Sequence, residues 1–217
     1  MEDDKIIKII LLGESGVGKT NLIQVALDQP FQKEKISTLI SSYYESEIII
    51  QNKKYVYTLW DTAGQEVYRS LNKSFIKDSK IVILVFAINN RKSFEEIDYW
   101  INSVKESLEE NKYIMALVAN KSDLFDEQEI PDEEIMKKGK ELNIKTKITS
   151  AAEDSVGFKM FLEELLKDFV KSGIPFKKKR TFNLEWENVE KTEDEKNNNE
   201  LDNNRKVSNA RNKKKCC

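Results

Sequence analysis

GESGVGKT, Gly13 to Thr20, interrupts a nearly unbroken aliphatic run, IIKIILL, with three glycines, a lysine and a hydroxyl. This spacing fits G-x-x-x-x-G-K-[ST]. Through Glu14, Ser15, Gly16, Val17 and Gly18 such a loop turns backbone N–H groups inward, around something bulky and negative. The helical pattern that follows, TNLIQVAL, aims its N-terminal dipole at the same anion. Lys19 would reach the outer phosphates of a nucleotide, and Thr20 would offer its hydroxyl to Mg²⁺. A plain glycine-rich turn is the structural alternative; the strand before the loop and the helix after it favour the phosphate reading.

Three more stretches place polar groups after apolar runs. WDTAGQE, Trp60 to Glu66, puts Asp61 where an open α/β sheet binds its ligands, suited to orienting Mg²⁺. There Gly64 can bring an N–H to a terminal phosphate, and Gln65 can orient a water while being a poor base. NKSD follows YIMALVA. The Asp123 carboxylate can accept two parallel bonds from an N–H and an NH₂ on one edge of guanine, a pair adenine lacks. Lys121 can lay its stem over the base plane. In TSAA, Ser150, Ala151 and Ala152 are small enough for backbone N–H groups to approach a base carbonyl. Standing alone, NKSD or TSAA is also an ordinary loop; their order and strand-end positions point to guanine.

The elements that must position these residues alternate. KIIKIILL, KIVILVFAI and YIMALVA read as strands covered on both faces. YYESEIII and YVYTLW flank a turn at Gln51 to Lys54, and in the second Tyr55, Tyr57 and Leu59 share one face. Phe94, Ile97, Ile101, Val104 and Leu108 repeat at helical spacing, with Ser93 as the expected N-cap. A charged helix follows Pro131. Phe158, Phe161, Leu162, Leu165 and Phe169 mark a last helix, stopped at Gly173. The expected fold is an α/β domain with a mostly parallel sheet and one antiparallel edge strand.

Composition excludes other classes. Among 217 residues there is no histidine, which removes His-based acid–base chemistry and most zinc sites. The net charge of -2 gives no basic field for nucleic acid. The two cysteines are the last residues, Cys216 and Cys217, consistent with a reducing compartment. MEDDKIIK lacks the apolar stretch of a signal peptide. From 173 to 217 the chain is rich in Asn, Lys and Glu without apolar period, and reads as a disordered tail.

GESGVGKT, Thr38 in STLI, WDTAGQE, NKSD and SAA, in that order, resemble the Ras superfamily of small GTPases. WDTAGQE and the Cys-Cys end look most like its Rab branch. The resemblance covers residues 5–172. It implies a P-loop G domain with a six-stranded sheet and five helices, Mg²⁺ and GTP or GDP as ligands, and slow hydrolysis, roughly 10⁻⁴ s⁻¹ without a partner's arginine. It further implies that Thr38 closes over Mg²⁺, that Phe31 packs on guanine and that Gln65 positions the attacking water. Cys216 and Cys217 would carry geranylgeranyl groups, with Lys213 to Lys215 adding attraction to anionic lipid. Implied partners are an exchange factor, a GTPase-activating protein, a dissociation inhibitor or escort protein, and effectors of vesicle traffic. The implied place is the cytoplasmic face of an intracellular membrane, in exchange with cytosol. LISSY (39–43) and FIKDS (75–79) depart from the common Rab pattern where regulators and effectors bind. Rival readings are a permanently nucleotide-bound interaction module, weakened by the presence of Thr20, Asp61 and Gln65, and a P-loop kinase or ATPase, weakened by NKSD.

Overall fold

The computed structural model describes residues 5–33, 42–62 and 74–178. The aliphatic runs form strands: β1 (Lys5–Leu12), β4 (Ile81–Ala87) and β5 (Ile114–Asn120), joined by β2 (Ser42–Ile50), β3 (Lys53–Asp61) and β6 (Lys145–Ile148). Their order is β2-β3-β1-β4-β5-β6. Every neighbouring pair along this path is parallel except the β2–β3 hairpin, so β2 is the antiparallel edge expected from the sequence. The hairpin loop is tighter than anticipated. Gln51 and Asn52, both at positive φ (51° and 59°), form it alone, and Lys53 and Lys54 already pair with Ile50 and Ile49. Two positive-φ residues match the right-handed twist of the strands they join.

Alternate residues of each buried strand feed two cores, because successive strand side chains point to opposite faces. Ile7, Ile9 and Leu11 meet α1 (Lys19–Ala26) and the apolar stripe of α5 (Ser155–Lys171), including Phe158, Leu162, Leu165 and Phe169. Ile10, Leu12, Val82, Leu84 and Phe86 meet α2 (Arg91–Glu95), α3 (Ile97–Ser107) and Ile135 of α4 (Asp132–Glu141). Besides these five α-helices, residues 74–76 are helical.

One expectation is corrected. The helix expected to be capped by Ser93 starts three residues earlier and is broken at Glu96. Asn90 is its N-cap, its Oδ1 accepting from the Ser93 N–H at 3.0 Å. Ser93 is buried instead, its hydroxyl accepting from Ala87 N–H and donating to the Asn90 carbonyl. A cap needs an acceptor pointing along the helix axis, and the tight β4–α2 turn gives that place to Asn90.

Gly173, at φ 73°, ends α5 as expected. Beyond it Phe176 stacks on Tyr55 (5.8 Å between ring centroids) and meets Phe169 edge-on (5.2 Å). A two-residue strand, β7 (Lys177–Lys178), then pairs antiparallel with the start of β1.

Candidate nucleotide-binding site

The polar motifs meet at one end of the sheet, where β1, β3, β5 and β6 finish. Gly13 follows β1, Asp61 closes β3, Asn120 closes β5, and Thr149 to Ala152 follow β6. This is the ligand end of an open α/β sheet.

The loop between β1 and α1 needs its glycines for contact as well as conformation. Gly18 caps α1 at φ 96°, and a Cβ there would lie 2.3 Å from Asn120 Nδ2. At Gly13 a Cβ would come within 2.0 Å of the Val85 carbonyl oxygen. Asn120 explains the first approach. Its Nδ2 donates to the Val17 carbonyl at 2.8 Å, while its Oδ1 accepts from the Ala151 N–H at 3.1 Å. One buried amide therefore joins the glycine loop to the loop after β6. Val17 itself turns its side chain into the core, so only its backbone faces the site.

Lys19 is 5% exposed, and its ammonium donates to the Gly13 and Glu14 carbonyls at 2.7 and 2.8 Å. Burial pushes its pKa down to about 8, against the opposing pull of Asp61 and then Glu14. Two neutral carbonyls and two carboxylates do not restore what the ammonium loses in leaving water. A polyanion in the loop would. Glu14 is buried as well, and Ser15 and Thr20 are partly buried, Thr20 in the first turn of α1.

Asp61 is 1% exposed, and its neighbour Thr62 donates its hydroxyl to the Leu11 carbonyl at 2.7 Å, tying the end of β3 to β1. Among the described residues no group of three or more His, Cys, Asp or Glu could hold a metal. One carboxylate with one hydroxyl is still a fitting donor set for Mg²⁺, which keeps several waters and shares phosphate oxygens.

Lys121 sits in the left-handed region, at φ 67°, a sparsely populated conformation of the kind that clusters at functional sites. Asp123 lies in the short turn Ser122–Glu127, and one of its oxygens accepts from the Ser150 hydroxyl. Ser150 Oγ in turn accepts from the N–H groups of Ala152 and Glu153. The backbone bonds Ser122 N–H to Thr149 and Thr149 N–H to Ala119 lock the two loops together. The structure thus brings together Glu14 to Thr20, Asp61, Asn120, Lys121, Asp123 and Ser150 to Ala152. Phe31 is described and 39% exposed. Thr38, Gly64, Gln65, Cys216 and Cys217 lie outside the described residues.

Two features were not anticipated from sequence. Ser150 holds Asp123, a pairing across 27 positions. Tyr43, 60% exposed, stacks on Trp60 (5.1 Å, 22°), which leans on Phe75 (6.2 Å) and carries Lys8 Nζ 4.3 Å over its ring. LISSY and FIKDS each supply one of these rings, so the departures noted in the sequence form part of one aromatic surface.

The sheet, the glycine loop and the strand-end loops define a P-loop nucleotide-binding α/β domain. Residues 8–171 match the model of the Ras family. Over 96 residues, 44% of this chain, the sequence is 42% identical to the GTP-binding protein yptV5 of Volvox carteri, and the matched stretch spans 47% of that relative. The chain belongs to the Ras family, and its likeness to a Ypt-named relative agrees with the Rab-like character of its motifs.

Proposed function

We propose that this chain is a GTP-binding switch of the Rab type that hydrolyses GTP slowly and binds effectors in the GTP state. The observation that carries this reading is the buried Lys19 ammonium, held short of its usual basicity beside a loop that has no room for a side chain at Gly13 or Gly18. Lys19 would donate to the outer phosphates. Thr20 and Asp61, with Thr38 by resemblance, would hold Mg²⁺, which when bound neutralises charge on those phosphates. Asp123, steadied by Ser150, would accept from guanine, with Lys121 over the base plane and Ala151 and Ala152 beside it. The name of the yptV5 relative supports a guanine nucleotide. Gln65 would orient the attacking water, and Gly64 would approach the terminal phosphate.

The cluster of exposed Tyr43 with half-buried Trp60 and Phe75 adjoins the segments 34–41 and 63–73 in the chain, and offers an effector a set of aromatic rings to grip. Among the described residues no helix is long and apolar enough to cross a membrane. Membrane attachment would come from lipidated Cys216 and Cys217, and with it a role in vesicle traffic.

Single-turnover cleavage of loaded GTP tests this reading, with ATP as the loading control. Slow GTP cleavage without ATP loading is the expected result. For Gln65→Leu, GTP binding is retained and cleavage is lost. Equal loading of ATP would end the guanine assignment, and normal cleavage by the variant would end the role of Gln65.

A further inference from the structure

After α1 the chain reverses. Leu27 closes the helix, Asp28 turns at φ 59°, and Gln29 N–H returns to the Gln24 carbonyl at 2.9 Å. The Asp28 carboxylate is gripped by Lys159 of α5 at 2.6 and 2.7 Å, which braces the turn. The chain then runs back along α1. This is shown by Asn21, whose Nδ2 donates to the Gln32 carbonyl at 3.0 Å. Asn21 directly follows Thr20, in the first turn of the helix. A residue eleven positions later is therefore back at the phosphate end of α1, with Phe31 beside it.

The chemistry suits a tether. Asn21 and Gln24 are absent from the buried face of α1, which is made by Lys19, Leu22, Ile23, Val25 and Ala26. Asn21 is thus free of core packing duty. Its amide is short enough to hold a carbonyl alongside the helix: the Oδ1 is turned inward, buried and without a hydrogen-bond partner, which leaves the Nδ2 on the outer side to make the exposed bond to Gln32. Phe31 needs such a hold. The ring is 39% exposed, on a segment whose neighbours from 28 to 33 are all exposed, so it is only partly held by burial of its own.

We propose that Asn21 is a positioning residue for nucleotide retention: it holds segment 29–33 along α1 so that Phe31 stays against the bound nucleoside. This rests on the guanine-nucleotide reading above. Asn21 contributes nothing to bond cleavage; it acts on release, through Phe31.

The test is release of a fluorescent GDP analogue from the full chain, chased with excess unlabelled GDP at fixed Mg²⁺. Asn21→Ala is expected to speed release about 3–10-fold, the range that one neutral hydrogen bond supports. Phe31→Ala also speeds release. The double variant should release no faster than Phe31→Ala alone, because the tether acts only through that ring. A purely structural role for Asn21 would not produce this coupling, and the Asn21→Ala circular dichroism spectrum and unfolding temperature should match the parent's. Release at the parental rate, or two effects that multiply in the double variant, would overturn the tether. Failure of the parent chain to load the GDP analogue would instead remove the nucleotide reading on which it rests.

Discussion

Lys19 is the residue at which burial and charge are most sharply opposed. Its folded pKa of about 8 lies below the ordinary 10.5, so between these values the folded chain binds fewer protons than the unfolded one. Stability of the nucleotide-free domain accordingly rises with pH across that window; below it both states are protonated and the desolvation cost is felt in full. Nucleotide phosphates favour the charged ammonium. Binding of GDP at pH 8 should therefore take up about half a proton, and affinity should fall as pH rises further. Calorimetry in two buffers of different ionisation enthalpy reads this directly, and equal heats would contradict it. Asp123 gives a second prediction at this scale. Asn in its place offers an N–H where guanine also offers one, so Asp123→Asn should lose GTP and gain xanthine nucleotide, whose carbonyl replaces the amine. Unchanged GTP selectivity in competition binding would sink the base assignment. Ser150 would remain free to hold the new amide, which makes the exchange a change of specificity more than of fold.

At the scale of elements, the join between α5 and the sheet extends beyond the helix. Phe176 is half-buried, packed on Tyr55 of β3 and Phe169 of α5, and the two residues after it pair with β1. Removing the ring should cost about 1–2 kcal/mol by lost apolar burial, or roughly 3–6 °C in Tm for a domain of this size. Thermal unfolding of Phe176→Ala measures it, and an unchanged Tm would show that the ring adds nothing. The hydrophobic pattern was silent here for a physical reason. A lone aromatic in a lysine-rich stretch has no period, and its burial depends on Tyr55, more than a hundred residues earlier. The split of the Phe94 to Leu108 helix escaped for the opposite reason. The apolar spacing is continuous through Glu96, so all five positions still reach the same core across the break.

For the whole molecule, the G domain and the Cys-Cys end are separable parts of the proposed switch, one timing and the other addressing. Changing Cys216 and Cys217 to serine should shift the protein from membranes to cytosol while leaving nucleotide loading intact. Membrane fractions that still hold the double variant would refute lipid anchoring. Two lipid chains are expected to matter because one alone binds only marginally. The aromatic surface of Tyr43, Trp60 and Phe75 belongs to this scale too, since its three rings come from an edge strand, an inner strand and the segment leading to β4.

Apart from β7, which it read as part of a disordered tail, the sequence by itself determined the strands β1 to β6, the α/β class, the edge hairpin and the candidate phosphate and base-reading residues. These are written locally, as aliphatic runs, glycine spacing and strand-end polar groups, and local patterns follow from backbone geometry alone. Tertiary structure decided how the site residues hold one another. Asn120 reaches Val17 across 103 positions and Ser150 reaches Asp123 across 27. Asn21 meets Gln32 only because the chain doubles back at Asp28. No spacing rule encodes such pairs: the first two exist only once strand order has brought separate loops to the same end of the sheet, and the third only once the chain has folded back on α1. The depressed basicity of Lys19 is likewise a property of the assembled core, since desolvation requires neighbours that the residue's own segment does not supply.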